Sequence, residues 1–561
     1  MSKNYETTPK ISNLDPFGVY ESLTAIQSAW LKQPEFLNEE VQKLVNESYT
    51  LWTQTYNHFC GGCMGDVVPV SRYDERFKDE AWTENPYFDL LKESYLLYSH
   101  WLVDAVFKTP DVDDKTKRMA AFWTRQFLDA ISPSNFYWTN PLAQEYTIES
   151  GGQNLRDGFM LWLQDLKNHN ISMVEPDAFS VGKSVAASPG EVVYRNRMLE
   201  LIQYAPATEQ VHEMPIFLIS PWINKFYILD LAPGKSLIEF LVHKGFTVFV
   251  TSWKNPDSAM RDTGFEDYMF NGALDAIEVI CDITGQPKIH AAGYCIGGTL
   301  LSMLMSWMNQ GKEDIPVANW TLFTTLVDFS DPGDIDVFIT EKSVAWLEEM
   351  MEQTGYLDGQ AMEQSFRMLR PNGLIWRYVM QSYLYGKAPP PLEVLFWNTD
   401  VTRLPAKMHS YYLRELYLNN NLVKPNALKF KGRSIDLGKI KQPLYAVGAE
   451  QDHISPWKET FRIARIIDAP VRYALATSGH IMGIVNPPDP ESKRRYWVGD
   501  ATDWKQPDEW LAQIKKRPGT WWDDWTEWLD KECGEMVPAR RPGSENFPPL
   551  APAPGEYVLE K

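Results

Sequence analysis

A chain of 561 residues with 44% hydrophobic and 13% aromatic residues holds too much apolar material for a disordered polypeptide and enough length for more than one hydrophobic core. Its formal net charge of −20 and pI near 5.0 argue against nucleic acid as a partner, because phosphate binding needs clustered lysine and arginine. No apolar run reaches the roughly 18 residues of a membrane span, and residues 1–10 lack the apolar centre of a secretion signal, so a soluble cytoplasmic protein is expected.

In chain order, apolar residues first recur at helical spacing in Val41, Leu44, Val45, Tyr49, Leu51 and Trp52, then in Tyr87, Leu90, Leu91, Tyr95 and Leu97. Turn signals at Ser132-Pro133-Ser134-Asn135 and Gly151-Gly152 divide these stretches. A mostly helical N-terminal region over residues 1–185 is expected. The stripe Phe159, Trp162, Leu163 and Leu166 has the spacing of a buried face, and core is the expectation for it. Five cysteines, Cys60, Cys63, Cys281, Cys295 and Cys533, are too few and too scattered for a disulfide framework. Cys60 and Cys63 have C-x-x-C spacing, but zinc needs two more ligands and only His58 lies near, so no metal is expected.

Residues 180–187, small and glycine-bearing, mark the domain boundary. Gly182-Lys183-Ser184 within them is similar to the end of a phosphate loop but lacks that motif's first glycine. Alternation from Val192 to Leu201 then predicts an opening antiparallel pair. Short apolar runs follow at 216–219, 247–251, 288–292, 322–327, 444–447 and 473–476, with helical stretches at 236–243, 266–283 and 299–308. Strand and helix in alternation predict a parallel sheet covered on both faces, with functional loops at the carboxyl ends of the strands. Residues 328–440 interrupt the alternation and read as a cap inserted into a catalytic domain of residues 186–561. The end of the chain, with Pro552 and Pro554, predicts that roughly the last twenty residues are poorly ordered.

The chemistry concentrates at Gly293-Tyr294-Cys295-Ile296-Gly297-Gly298, between the run ending at Ala292 and the helix from Thr299. A strand that reverses into a helix over one residue holds that residue in a strained turn, and small neighbours let its side chain project above the sheet. The pattern is a nucleophile elbow, G-x-S-x-G, with cysteine in the serine position. It predicts an α/β-hydrolase fold and covalent acyl transfer through Cys295. In this fold the acid and then the histidine follow the nucleophile along the chain. Asp452 lies on the loop after the run 444–447, with Glu450 as the fallback acid. Of the nine histidines, only His409, His453 and His480 come after Cys295, and only His480 sits on a small-residue loop after the last predicted strand. The expected set is Cys295 as nucleophile, His480 as base and Asp452 holding the imidazole. The tetrahedral oxyanion needs two backbone N–H groups, one from Ile296 and one from Trp222 or Ile223 on the loop Ser220-Pro221-Trp222-Ile223-Asn224, since Pro221 has none. Asp230, beyond that loop, reads as a turn or cap carboxylate.

A cysteine nucleophile suits a thioester donor and an alcohol acceptor. The acyl-cysteine holds about the same energy as the incoming thioester, so attack by a hydroxyl to form an ester runs downhill. A serine would already have formed the ester.

The elbow motif, Pro221-Trp222-Ile223-Asn224-Lys225-Phe226-Tyr227-Ile228-Leu229-Asp230-Leu231, Glu450-Gln451-Asp452-His453-Ile454 and Ser478-Gly479-His480-Ile481 together resemble the class I polyhydroxyalkanoate synthases. Asn140-Pro141 and Thr520-Trp521-Trp522 extend the resemblance over nearly the whole chain. It implies an acyltransferase that polymerises (R)-3-hydroxyacyl-CoA, such as 3-hydroxybutyryl-CoA, into a polyester and releases CoA, with no resident cofactor. It carries the catalytic roles onto Cys295, Asp452 and His480, and implies a part for the aspartate in activating the 3-hydroxyl. It also implies a homodimer, with Trp397 at the interface, working in the cytoplasm at the surface of a growing granule. The competing readings are an acyl-CoA thioesterase or polyester depolymerase of the same fold, and a non-catalytic granule-associated protein.

Overall fold

The structure, a computed structural model, describes residues 15–60, 67–71, 74–175 and 177–561. Cys63 lies outside the described residues, while Cys60 is an exposed free thiol. The chain divides into two units, one running through Glu175 and taking in Gln364–Pro391, the other made of Pro176–Glu363 and Leu392–Lys561. Among the described residues no helix is long and apolar enough to cross a membrane.

The first unit is helical, with helices at Val19–Lys32, Pro34–Phe59, Pro86–Lys108, Asp114–Ala130, Pro141–Glu149 and Gln153–Asn168. Asn140 starts the fifth by accepting from the Ala143 N–H at 3.1 Å while its amide donates to Ser134 O at 2.7 Å. That satisfies one of the orphaned donors of a helix start. The segment 364–391, read from sequence as part of the cap, packs in this unit. Gly158 is why it fits closely, since a Cβ there would meet Tyr383 O at 2.1 Å. Around it Asn154 donates to Leu384 O at 2.8 Å and the Tyr383 hydroxyl to Asp165 at 2.7 Å. Half-buried Arg76 ties Asp74 (2.8 Å), Asp129 (3.2 Å) and Asn372 (3.2 Å) together.

The same packing overturns the expectation for the stripe on Gln153–Asn168. The helix buries its small and polar face, Asn154, Gly158 and Asp165. Phe159, Trp162 and Leu166 are left exposed, with the Phe159 and Trp162 rings stacked at 5.7 Å.

The second unit is built on eleven strands. These are β1 (Gly190–Arg195), β2 (Leu199–Tyr204), β3 (Ile216–Ile219), β4 (Val248–Trp253), β5 (Ile289–Tyr294), β6 (Val317–Phe323), β7 (Leu444–Ala449), β8 (Val471–Ala476), β9 (Arg495–Asp500), β10 (Arg517–Pro518) and β11 (Ala551–Pro552). Their order across the sheet is β10-β9-β8-β7-β6-β5-β3-β4-β2-β1-β11. Strands β4, β3, β5, β6, β7 and β8 are parallel to their neighbours in that run, and the outer pairings are antiparallel. This is the α/β-hydrolase arrangement.

Alternate residues of these strands enter separate cores, as the two-residue period of a strand requires. Phe217, Ile219, Phe249, Ala291, Leu322 and Leu475 pack with the helices Asp275–Thr284 and Ile296–Asn309. Leu218, Val250, Ala292, Tyr445, Val447 and Ala476 pack with Leu237–His243 and with Trp521, Trp522 and Trp525 of Trp521–Glu532. Both faces are buried, so the parallel strands are mostly apolar along their length.

Strand β6 lies at 317–323 rather than the 322–327 expected from apolar residues. Asn319 and Thr321 disguise its first half. Both are buried, and the ring nitrogens of His290 engage them, Nδ1 meeting the Asn319 side chain and Nε2 lying 3.1 Å from the Thr321 hydroxyl. Burial lowers the His290 pKa to about 4 despite the Asn319 bond, so the pair is a neutral polar contact within the sheet. The chain end is also ordered against expectation. β11 pairs with β1, Val192 opposite Ala551 and Glu191 opposite Pro552. Proline is tolerated there because an edge strand needs only one side of its ladder.

Candidate active site

β5 runs directly into the helix Ile296–Asn309 and leaves Cys295 alone at the turn, with φ 52° and ψ −123°. A positive φ at a residue with a Cβ is strained and persists only where the surroundings over-determine it. Here the Cys295 N–H donates to Phe323 O at 3.0 Å, and its carbonyl accepts from Gly298 and Thr299 at 2.9 and 3.1 Å. Glycines permit the close approach, for a Cβ on Gly293 would meet Gly298 Cα at 2.4 Å and one on Gly297 would meet Ile219 O at 2.5 Å. The thiol is thereby set at the helix N-terminus, where the macrodipole favours a developing thiolate.

The loops after β7 and β8 bring the other two residues to it. His480 Nδ1 lies 2.7 Å from Asp452 Oδ2, both side chains are buried, and Cys295 lies within electrostatic reach of the same imidazole. Asp452 Oδ1 is taken up by the N–H groups of Ile454 and Ser455 at 2.8 and 2.9 Å. Both carboxylate oxygens are therefore engaged. Glu450, the fallback acid, is exposed at the end of β7.

Tyr294, absent from the sequence-derived set, locks the histidine. Its hydroxyl donates to His480 O at 3.1 Å and its ring stacks on the imidazole, with centroids 5.6 Å apart. The signal was the aromatic residue preceding the nucleophile, whose side chain points to the opposite face of β5 from its neighbours in sequence.

Burial by itself would lower the His480 pKa, but the Asp452 carboxylate and then Cys295 raise it from 6.5 to about 10. The folded protein thus binds this proton more tightly than the unfolded chain. The resulting stability is complete below pH 6.5 and is lost as pH rises toward 10. The thermal midpoint of the wild type is expected to fall more steeply across that window than that of Asp452→Asn. The gap should be a few degrees, since each kcal/mol moves a unit of this size by about 2 °C or less. Parallel profiles would show that Asp452 does not hold the proton.

The loop after β3 lies beside the turn, because the position of Gly297 abuts Ile219 O and Ser220 O. Ser220 is anchored to β4, its hydroxyl donating to Thr251 O at 2.8 Å and its N–H to the Thr251 hydroxyl at 3.0 Å. The Trp222 ring turns into the core and stacks on Tyr268, centroids 4.4 Å apart. The carbonyls of Trp222 and Ile223 accept from the Thr402 hydroxyl at 2.5 and 2.8 Å. With both carbonyls held, the N–H groups of these residues remain as loop donors. Ile296, at the first helical position, has an N–H without an acceptor inside its own helix. Asp230 is not part of this group of side chains and serves as a turn carboxylate. It accepts from the Ser188 and Ser236 hydroxyls at 2.5 and 2.7 Å.

The insertion between β6 and β7 supplies two tyrosines that sequence analysis passed over. The stretch Tyr412–Leu418 is π-helical, and its five-residue repeat puts Tyr412 and Tyr417 on one face. Their rings meet edge to face at 5.3 Å beside Phe329. Burial foremost, with the charge at Cys295 contributing, raises both phenol pKa values. Both phenols therefore stay protonated and lie within electrostatic reach of the thiol. Trp397, expected at a dimer interface, is only 5% exposed in the single chain. Its indole donates to Lys225 O at 2.7 Å, so no second copy is needed to bury it.

Comparison with known proteins finds relatives over nearly the whole chain. A family profile described as the N-terminus of poly-beta-hydroxybutyrate polymerase (PhaC) matches residues 73–241, and one for the alpha/beta hydrolase fold matches residues 228–487. The chain is 44% identical over 545 residues to a poly(3-hydroxyalkanoate) polymerase of Methylorubrum extorquens, spanning 96% of this chain and 89% of that protein. Poly(3-hydroxyalkanoate) polymerase subunit PhaC of Rhizobium etli is 38% identical over 98% of this chain and 87% of its own length. The corresponding subunit of Cupriavidus necator is 40% identical over 87% of this chain and 83% of its own length.

Proposed function

The chain belongs to the poly(3-hydroxyalkanoate) polymerase family, and on that premise we propose that it joins (R)-3-hydroxyacyl groups from CoA thioesters into a polyester through an acyl-Cys295 intermediate. The observation that carries this reading is that Asp452 bonds the His480 imidazole at 2.7 Å while Cys295, alone at the turn, lies within electrostatic reach of that imidazole.

The thiol proton rests on the His480 imidazolium held beside Asp452, and Cys295 sulfur attacks the thioester carbonyl as the thiolate. The tetrahedral oxyanion is met by the Ile296 N–H and by Trp222 or Ile223. Collapse expels CoA sulfur, and the proton on His480 leaves with it as CoA thiol. The neutral imidazole then takes the proton of a 3-hydroxyl, whose oxygen attacks the acyl-cysteine. An ester forms, the thiolate departs, and His480 returns the proton to it. Asp452, with both oxygens engaged, orients the imidazole in both half-reactions, and the hydroxyl loses its proton to His480. The protein draws on no resident cofactor, since CoA enters as thioester and leaves as thiol. The insoluble product ties a homodimer to the surface of a cytoplasmic polyester granule.

Incubation with 3-hydroxybutyryl-CoA is expected to release one CoA per monomer incorporated and to yield chloroform-soluble polymer. Free 3-hydroxybutyrate as the only acyl product would assign the site to a hydrolase instead. Failure of substrate to protect Cys295 from a thiol reagent would point to a non-catalytic relative.

A further inference from the structure

The chain end, which composition predicts as a loose tail, crosses from β2 and β4 to the loop after β3. The Glu556 and Tyr557 N–H groups donate to buried Glu200, each at 2.9 Å, and the Tyr557 hydroxyl donates to Asn196 O at 2.8 Å. Beyond this anchor, Glu560 gathers groups from two other segments. Its carboxylate accepts from Lys254 Nζ at 2.7 Å and the Asn255 N–H at 3.2 Å, and its carbonyl accepts from Lys225 Nζ at 2.6 Å. Lys561 Nζ donates to Asp400 at 2.9 Å, whose other oxygen accepts from the Tyr227 hydroxyl at 2.9 Å.

These groups bracket the loop 222–225 from both sides. Lys225 ends that loop and is 3% exposed. On the other side, residues 397–403 of the insertion hold the loop backbone, through Trp397 to Lys225 O, Thr402 to the Trp222 and Ile223 carbonyls, and a bridge between Asn224 and Val401. Asn255 joins the two sides, since its N–H reaches Glu560 while its side-chain oxygen accepts from the Arg403 N–H at 2.9 Å. Burial lowers the Lys225 pKa to about 8, with Asp400 and Glu560 acting against it. The ammonium therefore keeps its place only while those partners stay.

We infer that residues 556–561 are a strap that positions the loop 222–225 for catalysis, with the Glu560 carbonyl holding Lys225 and the Glu560 carboxylate the positioning group through Lys254 and Asn255. The inference rests on the acyl-Cys295 reading, in which that loop provides the second oxyanion donor. A donor displaced by even about an ångström loses much of its effect on a transition state while ground-state binding is little changed.

The test measures two reactions of Cys295 in the full chain. Turnover of 3-hydroxybutyryl-CoA passes through an oxyanion, whereas alkylation by iodoacetamide needs only the thiol and its imidazole. Glu560→Ala is expected to lower kcat roughly tenfold or more, with KM within about twofold and the alkylation rate unchanged. Glu560→Gln, which keeps an acceptor for Lys254 and Asn255, should recover most of the loss, and Lys561→Ala should fall between. Wild-type kcat in Glu560→Ala overturns the strap, as does an equal fall in turnover and alkylation, which would mark a general loss of structure. If Glu560→Ala is normal and Cys295→Ala is dead, only the strap fails. If Cys295→Ala still turns over, the reading beneath it fails.

Discussion

Cys295→Ala is expected to abolish release of CoA from 3-hydroxybutyryl-CoA, with a fall of at least about 10,000-fold, because a covalent route with its nucleophile deleted keeps only what binding and the oxyanion donors provide. The substitution removes one sulfur at a half-buried position. The hydrogen bonds that hold the turn, to the Phe323 carbonyl and from the Gly298 and Thr299 N–H groups, involve only the residue's backbone. The variant should therefore fold and still bind substrate. Thiol release followed with a chromogenic reagent, alongside a search by mass spectrometry for an acylated peptide, gives the result directly. Turnover within a hundredfold of wild type would place the nucleophile elsewhere, and neither Cys281 nor Cys533 is a ready substitute. Burial raises the thiol pKa of Cys281 to about 11 and also pushes that of Cys533 upward.

His480→Gln is expected to lower the acylation rate by roughly a thousandfold, within the range that a positioned general base contributes. Glutamine can still meet the Asp452 carboxylate that lies 2.7 Å from the imidazole, so the loop geometry is preserved and proton transfer alone is removed. A second signature follows from the sign of the missing step. In the wild type the imidazole takes the thiol proton, whereas in the variant only solvent base does so, and the residual rate should climb about tenfold per pH unit through neutrality. A variant within about tenfold of wild type, or one with a flat pH profile, would show that another group takes the proton.

The two substitutions probe features with different origins. A glycine pair spaced around one residue between an apolar run and a helix is a local pattern, and its strained turn follows from the stereochemistry of neighbouring residues. The sequence alone thus determined the turn at Cys295, the apolar runs of the parallel sheet, and the downstream loops that carry Asp452 and His480 to the same end of that sheet. Tertiary structure decided which surfaces are covered. It turned Phe159, Trp162 and Leu166 outward because Gly158 accepts the backbone of residue 383, returned 364–391 to the helical unit, stacked Tyr294 on His480, and bound the proline-bearing end to β1 and Lys254. Each of these depends on a partner that lies far along the chain in most cases, and the periodicity of one segment specifies an apolar or polar face but not the segment that will meet it. Backbone stereochemistry is written over a few adjacent residues, whereas burial is settled only when the whole chain competes for the same surfaces.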